Sequence, residues 1–165
     1  LAYWKERNLP VVIVRLFNTV GPRQTGQYGM VIPRFVEQAL TGVPITVFGT
    51  GTQSRSFAYV GDVVRGIMAL AAEPRATGDV FNLGNTQEIT IRELAELVKA
   101  MTASDSEIVT IPYVEAYGSG FDDMPRRVPD LTKAKNLVGY EPSVQLPEIL
   151  TRIIKHYNTR RKELA

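Results

Sequence analysis

Four consecutive aliphatic residues, Val11-Val12-Ile13-Val14, run into Arg15-Leu16-Phe17-Asn18-Thr19-Val20-Gly21-Pro22-Arg23, and no other stretch restricts the fold as much. A strand with one wet face alternates polar and apolar side chains. An unbroken aliphatic run therefore predicts a strand buried on both faces, as in a parallel sheet. Parallel sheets of this kind hold ligands just beyond the carboxyl ends of their strands. At that point the chain offers an amide in Asn18, a hydroxyl in Thr19, a flexible backbone at Gly21 and a cation in Arg23.

The remaining elements follow from periodicity and punctuation. Leu1 to Asn8 reads as the last turns of a helix ahead of Pro10, and its uncapped apolar start is expected of a fragment of a longer protein. Beyond the polar loop 24–29, Ile32, Phe35, Val36, Ala39 and Leu40 recur at helical spacing over Met30 to Leu40, with Pro33 in the first turn and Thr41-Gly42 as the stop. Ile45 to Phe48 and Arg55 to Val60 read as strands, the second with Phe57 and Tyr59 on one face and Ser56 and Ala58 on the other. Asp62 is expected to cap a helix over 63–72 whose inward stripe is Val64, Ile67, Met68 and Ala71. Val80 to Leu83 and Glu107 to Ile111 are further strands. Thr90 and Glu93 have the spacing of a capping box for a helix carrying Ile91, Leu94, Leu97, Val98 and Met101. A long connection over 112–129 holds Tyr113, Tyr117 and the acidic pair Asp122-Asp123. Helices over 132–138, stopped by Gly139, and from Leu146 to about Arg161 complete the chain.

Composition removes several chemistries. The 165 residues contain no cysteine and one histidine, which excludes disulfides, thiolate nucleophiles and multi-histidine metal sites. A formal charge of +2, from 19 basic residues scattered among 17 acidic ones, gives no electrostatic footprint for nucleic acid. With no long apolar run and no leader-like start, a cytoplasmic protein without a membrane span is expected. Gly49-Thr50-Gly51-Thr52-Gln53-Ser54 is not a dinucleotide fingerprint: its third glycine position is Ser54 and it leads into a strand, so a plain hairpin turn is expected.

Arg15-Leu16-Phe17-Asn18-Thr19-Val20-Gly21-Pro22-Arg23 resembles the late Rossmann strand and following loop of extended short-chain dehydrogenase/reductases, the NAD-dependent nucleotide-sugar epimerases, decarboxylases and dehydratases. The likeness continues through Gln53-Ser54-Arg55-Ser56-Phe57-Ala58-Tyr59-Val60-Gly61-Asp62 and Arg126-Arg127-Val128-Pro129-Asp130 to about Pro142. It implies an α/β fold: the C-terminal part of a Rossmann-type parallel sheet, ending near residue 23, followed by the small mixed α/β substrate-binding domain over 24–165. It also implies roles for single residues. Asn18, Arg55 and Arg127 match diphosphate-binding positions, and Arg127 matches an arginine credited with a catalytic role in the decarboxylases. Phe48 matches the face on which the base stacks, Thr46 a position near the base edge, and Met30 and Val31 contacts from the other side. Asp130 matches a carboxylate that receives ribose hydroxyls. Leu16 and Phe17 match the nicotinamide pocket, although core packing is expected of them here.

In that family NAD oxidises the sugar at C4 while a tyrosine, with a lysine four residues later, takes the hydroxyl proton. No tyrosine here has a lysine at that spacing: Tyr3 and Tyr157 are followed by Arg7 and Arg161. The expected function is accordingly the UDP-sugar-binding portion of such an enzyme, with no NAD bound by this chain alone. Its partners would be a nucleotide sugar and either the N-terminal lobe or a second copy of itself. Half of a two-chain enzyme and a non-enzymatic anion-binding module fit the same residues.

Overall fold

The computed structural model describes residues 1–26, 30–118, 120 and 123–163. Part of the polar loop expected over 24–29, and Asp122 of the acidic pair, lie outside the described residues. The chain divides into two compact units, one of residues 1–19, 56–87 and 128–146, the other of 20–55, 88–127 and 147–165.

In the first unit β1 (Val12–Leu16) pairs in parallel with β6 (Asp79–Leu83), with Val12 opposite Asp79 and Leu16 opposite Leu83. Parallel pairing is what the aliphatic run predicts. Helix α3 (Val60–Ala72) packs on β1, and α6 (Thr132–Val138) packs on β6 and α3. Together they enclose Val63, Leu70, Phe81, Leu83, Ala134 and Tyr140, with Val12 and Val14 against them. Burial of β1 on both faces is not found. Ile13, on the other face, is 37% exposed and Leu16 54%. An aliphatic run reports that a strand needs cover on both sides, and the helices of this unit cover one.

Helix α1 (Ala2–Arg7) ends, as expected, at Asn8, which adopts the left-handed conformation. The strand expected over 55–60 is broken into β4 (Ser54–Ser56) and β5 (Ala58–Tyr59). Ser56, Phe57 and Ala58 are all buried, so the proposed alternation does not hold. Helix α3 begins at Val60, and no side chain caps it.

Asp62 therefore does not cap. Its buried carboxylate accepts hydrogen bonds from the Ser143 and Val144 amides at 2.8 and 3.0 Å, from the Ser143 hydroxyl at 2.9 Å and from Arg65 at 2.5 Å. This clamp turns the helix. Val63, Gly66 and Leu70 face the core, while Val64, Ile67 and Met68 of the expected inward stripe are exposed, as is Ala71. Gly66 is part of the cause, because a Cβ there would lie 2.7 Å from the Tyr140 ring, and the hydroxyl of that ring donates to Gly84 O at 2.8 Å.

In the second unit α2 (Val31–Thr41) and α4 (Ile91–Thr102) pack on each other and on β3 (Ile45–Phe48), which pairs in parallel with β8 (Ile108–Ile111). Ile32, Phe35, Val36, Ile45, Val47 and Leu94 are buried here, as are Ile149, Leu150 and Ile153 of α7 (Leu146–Glu163). The capping box of α4 forms as expected, Thr90 accepting from the Glu93 amide and Glu93 from the Thr90 amide. A second sheet runs β7 (Glu88–Thr90), β4, β9 (Arg126–Arg127).

The 49–52 segment is not a hairpin turn, since β3 and β4 belong to different sheets. It carries the chain between them, and the Gly51 and Gln53 carbonyls accept from the Arg92 and Ile91 amides. The long connection contains one turn of helix, α5 (Tyr113–Tyr117), besides β9. No described helix is long and apolar enough to cross a membrane.

Candidate functional site

The residues that resemblance marks for a nucleotide gather most densely in the second unit, around the carboxyl end of β3. Along β3 the period of two buries Ile45 and Val47 and leaves Thr46 and Phe48 half-exposed on the other side. Arg34 and Gln38, one helical turn apart on α2, reach the same strand. Gln38 accepts from Thr46 N at 3.1 Å and donates to Thr46 Oγ1 at 2.9 Å, and Arg34 donates to Thr46 O at 3.0 Å. Thr46 thus has its amide, carbonyl and hydroxyl oxygen engaged within the protein.

The Arg34 guanidinium lies 4.0 Å from the centroid of the Phe48 ring, a cation–π contact, and Tyr117 meets the same ring edge-on at 5.4 Å. Burial lowers the Arg34 pKa, with the neighbouring Tyr117 phenol acting the other way. Among the described residues the buried Arg34 Nε has no hydrogen-bond partner.

The two arginines expected at a diphosphate are brought together. Strands β4 and β9 run parallel with Arg55 opposite Arg127, and register partners in a parallel pair leave the sheet on the same face, roughly 4.8 Å apart at the backbone. Their neighbour Arg126 is engaged by Glu88 through two contacts at 2.9 and 2.6 Å, and Glu88 also accepts from Ser54 Oγ at 2.9 Å. Hydrogen bonds from Arg126 and then Ser54 hold the Glu88 pKa below its ordinary value.

Arg55 is buried. It donates to Ser54 O at 2.7 Å and to Asp123 at 2.6 Å. The other Asp123 oxygen accepts from the Tyr113 hydroxyl at 3.0 Å, and Tyr113 accepts from Gln53, which also donates to Phe48 O. Burial and then the Asp123 carboxylate push the Tyr113 pKa up to about 12. A cavity of about 170 Å³ lined by Thr50, Thr52, Gln53, Tyr113, Asp123 and Pro125 adjoins this chain of contacts.

Met30, the N-cap of α2, is 42% exposed, and Val31 opens the helix half-buried. The other expected residues belong to the first unit. Asn18, left-handed at φ 30°, donates from its amide to Ser56 O at 2.8 Å and accepts from Ala58 N at 3.2 Å through its carbonyl, tying the end of β1 to the start of β5. The Asp130 carboxylate accepts from Thr132 N at 2.9 Å, and contacts with the Thr132 hydroxyl and amide lower its pKa. Phe17 is half-buried with Gly84 against its Cβ, whereas Leu16 is exposed, so the core role expected of Leu16 is not found. It lies at the strand end, past the residues that α3 covers.

Residues 1–84 match the profile of the NAD dependent epimerase/dehydratase family. The chain belongs to that family. UDP-N-acetyl-alpha-D-glucosaminuronate decarboxylase of Bacillus cytotoxicus is 40% identical over 152 residues, which are 92% of this chain and 47% of that protein. Among solved structures, UDP-glucose 4-epimerase of Thermotoga maritima with UDP-glucose aligns at a TM-score of 0.85 and 33% identity, over 99% of this chain and 50% of that one. UDP-glucuronic acid 4-epimerase of Bacillus cereus, in complex with UDP-glucuronic acid and NAD, aligns at a TM-score of 0.85 and 28% identity, over 96% and 48%. The chain spans about half the length of these relatives.

Of the residues that resemblance marks for NAD, Leu16 is exposed and Phe17 half-buried, both apolar and at the end of β1. The glycines at 49 and 51 lead into β4, so no helix N-terminus follows them to receive a pyrophosphate. Sequence reading missed Arg34, Gln38, Gln53 and Asp123. The i, i+4 pair of polar residues on an otherwise apolar-faced α2 was the available signal for the first two. The acidic doublet was the signal for Asp123.

Proposed function

We propose that this chain is the nucleotide-diphosphate-sugar-binding portion of an NAD-dependent UDP-sugar enzyme, with a UDP-uronic acid decarboxylase as the favoured branch. The observation that carries it is the register pairing of Arg55 with Arg127, in the same unit as the Phe48 and Arg34 stack. Two guanidinium forks leaving one sheet face suit a diphosphate, since planar bidentate contacts fix orientation as well as charge. An aromatic ring backed by a cation suits a base, for which apolar contact and stacking supply the affinity. The decarboxylase branch rests on the names of the similar curated proteins, which act on UDP-uronic acids.

In this reading Phe48, Met30 and Val31 receive the base and Arg55 and Arg127 the diphosphate. When bound, NAD supplies the hydride acceptor for oxidation at the sugar. This chain's residues hold the nucleotide and fix where the sugar lies. The exposed Ile13, on the sheet face that α3 leaves open, and Val64, Ile67 and Met68, on the outer side of α3, are apolar surfaces that the rest of such an enzyme, or a second copy, covers.

Equilibrium binding of UDP-glucuronate to the wild type and to the Arg55→Ala and Arg127→Ala variants tests the assignment. Each substitution is expected to weaken binding at least tenfold, as removal of a charge-assisted pair does. Unchanged affinity in either variant would refute it.

A further inference from the structure

Arg55 is held in an unusual way for a residue meant to grip a ligand. It is 8% exposed, and among the described residues its charge is met by one oxygen of one carboxylate, Asp123, 68 positions away in the chain. That carboxylate is itself fixed. Its second oxygen takes the Tyr113 hydroxyl at 3.0 Å, and the Tyr113 oxygen takes Gln53 Nε2 at 2.9 Å. Gln53 Nε2 is within 2.9 Å of the Phe48 carbonyl. The Tyr113 ring sits where Gly49 leaves room, a Cβ there lying 2.4 Å from it. A relay thus runs from the backbone of the aromatic residue in the expected base slot to the guanidinium in the expected diphosphate slot.

We infer that Asp123, locked by Tyr113 and Gln53, is a positioning residue that sets the Arg55 fork for a nucleotide diphosphate. The inference rests on the function proposed above and adds a named residue pair to it. Geometry favours support over competition. A carboxylate that stood in for the ligand would take the fork with both oxygens. Asp123 spends one oxygen on Arg55 Nη2 and the other on Tyr113, while Ser54 O takes Nη1, so an arginine with five N–H donors retains others for a second anion. A charged residue whose rotamer is fixed by an ordered neighbour is what preorganised binding requires. The Gly49 turn belongs to the same device, because a side chain there would expel Tyr113.

The test compares UDP with uridine, which lacks both phosphates, on the full chain. Calorimetry serves for UDP and protein-observed NMR titration for the weaker uridine. Asp123→Asn is expected to weaken UDP about tenfold and uridine less than twofold, and Tyr113→Phe to weaken UDP about threefold. Because Asp123 acts through Arg55, adding Asp123→Asn to Arg55→Ala is expected to cost no further affinity. A purely structural role would weaken uridine as much as UDP, and that result would overturn the inference. Tighter UDP binding by Asp123→Asn would overturn it too, by making the carboxylate a competitor. If Arg55→Ala binds UDP like the wild type, the nucleotide-site reading itself fails. If Arg55→Ala is impaired and Asp123→Asn and Tyr113→Phe are not, only the positioning role fails. Tyr113→Phe keeps the ring over Gly49, so it remains informative should the Asp123 variant not fold.

Discussion

Replacing Asp62 by alanine should be among the most damaging substitutions in the first unit. The side chain is fully buried and satisfies two backbone amides, Ser143 and Val144, besides the Ser143 hydroxyl and Arg65. Arg65 is largely exposed and can turn to water, so its contact contributes little. The buried Val144 amide cannot follow it, whereas Ser143 is exposed and its amide can turn in part to water. A buried donor left without an acceptor costs about 1–3 kcal/mol, so the Val144 amide alone sets a loss of about 1–3 kcal/mol out of a typical total near 5–15. For a chain of this length that corresponds to a fall in Tm of about 2–12 °C.

Burial alone would raise the Asp62 pKa, but the Val144 and Ser143 amides, the Ser143 hydroxyl and Arg65 outweigh it and leave the group below its ordinary value. Its contribution is therefore complete above the unfolded pKa of about 3.9 and lost as pH falls through the lower folded value. Urea denaturation of wild type and Asp62→Ala at pH 7 and at pH 3 measures both effects. The gap between the two proteins should be wide at pH 7 and narrower in acid. A difference below about 1 kcal/mol at pH 7 would refute the clamp, since it lies under the cost of a single stranded amide.

Gly66→Ala should destabilise the first unit despite the gain of about 1 kcal/mol in helix propensity, because its Cβ would press on the hydrogen-bonded Tyr140 ring at 2.7 Å; a raised Tm by calorimetry would contradict this. Gly49→Ala forces a side chain into a left-handed residue at φ 72° and into the Tyr113 ring, so a loss of about 1–3 kcal/mol in thermal unfolding should accompany weaker UDP binding. Of the seven tyrosines, Tyr113 and Tyr140 are both pushed up to about 12, mainly by burial. Burial raises Tyr157 in the same direction, and in an ultraviolet titration Tyr113→Phe and Tyr140→Phe should each remove one late ionisation. The neutral phenols favour the folded state, so stability should decline as pH rises from about 10 toward 12.

Local signals were read correctly where the cause was itself local. The Thr90 and Glu93 box, the left-handed stops at Asn8 and Gly139, and the parallel β1 all follow from residues within a few positions of each other. Helix α3 shows where this ends. It is apolar on both sides, and its inward face is chosen by Asp62 and Gly66, two residues that hydropathy does not count as core. The break at Phe57 was hidden for a similar reason: alternation over 55–60 fits one strand, and only long-range pairing divides it.

In the candidate site Arg55 and Arg127 were legible as motif residues, but their register pairing was not, because it joins residues 72 positions apart. Thr46 was assigned to the base edge on position alone. Its polar atoms are taken by Gln38 and Arg34, contacts between a helix and a strand that strand periodicity does not encode.

The central claim is that this chain carries a preformed nucleotide-sugar site, and calorimetric titration with UDP-glucuronate, UDP-glucose, UDP and NAD tests it most directly. The three UDP ligands should bind, UDP-glucuronate most tightly, and NAD should give no heat. No binding of any UDP ligand to the folded chain would contradict it.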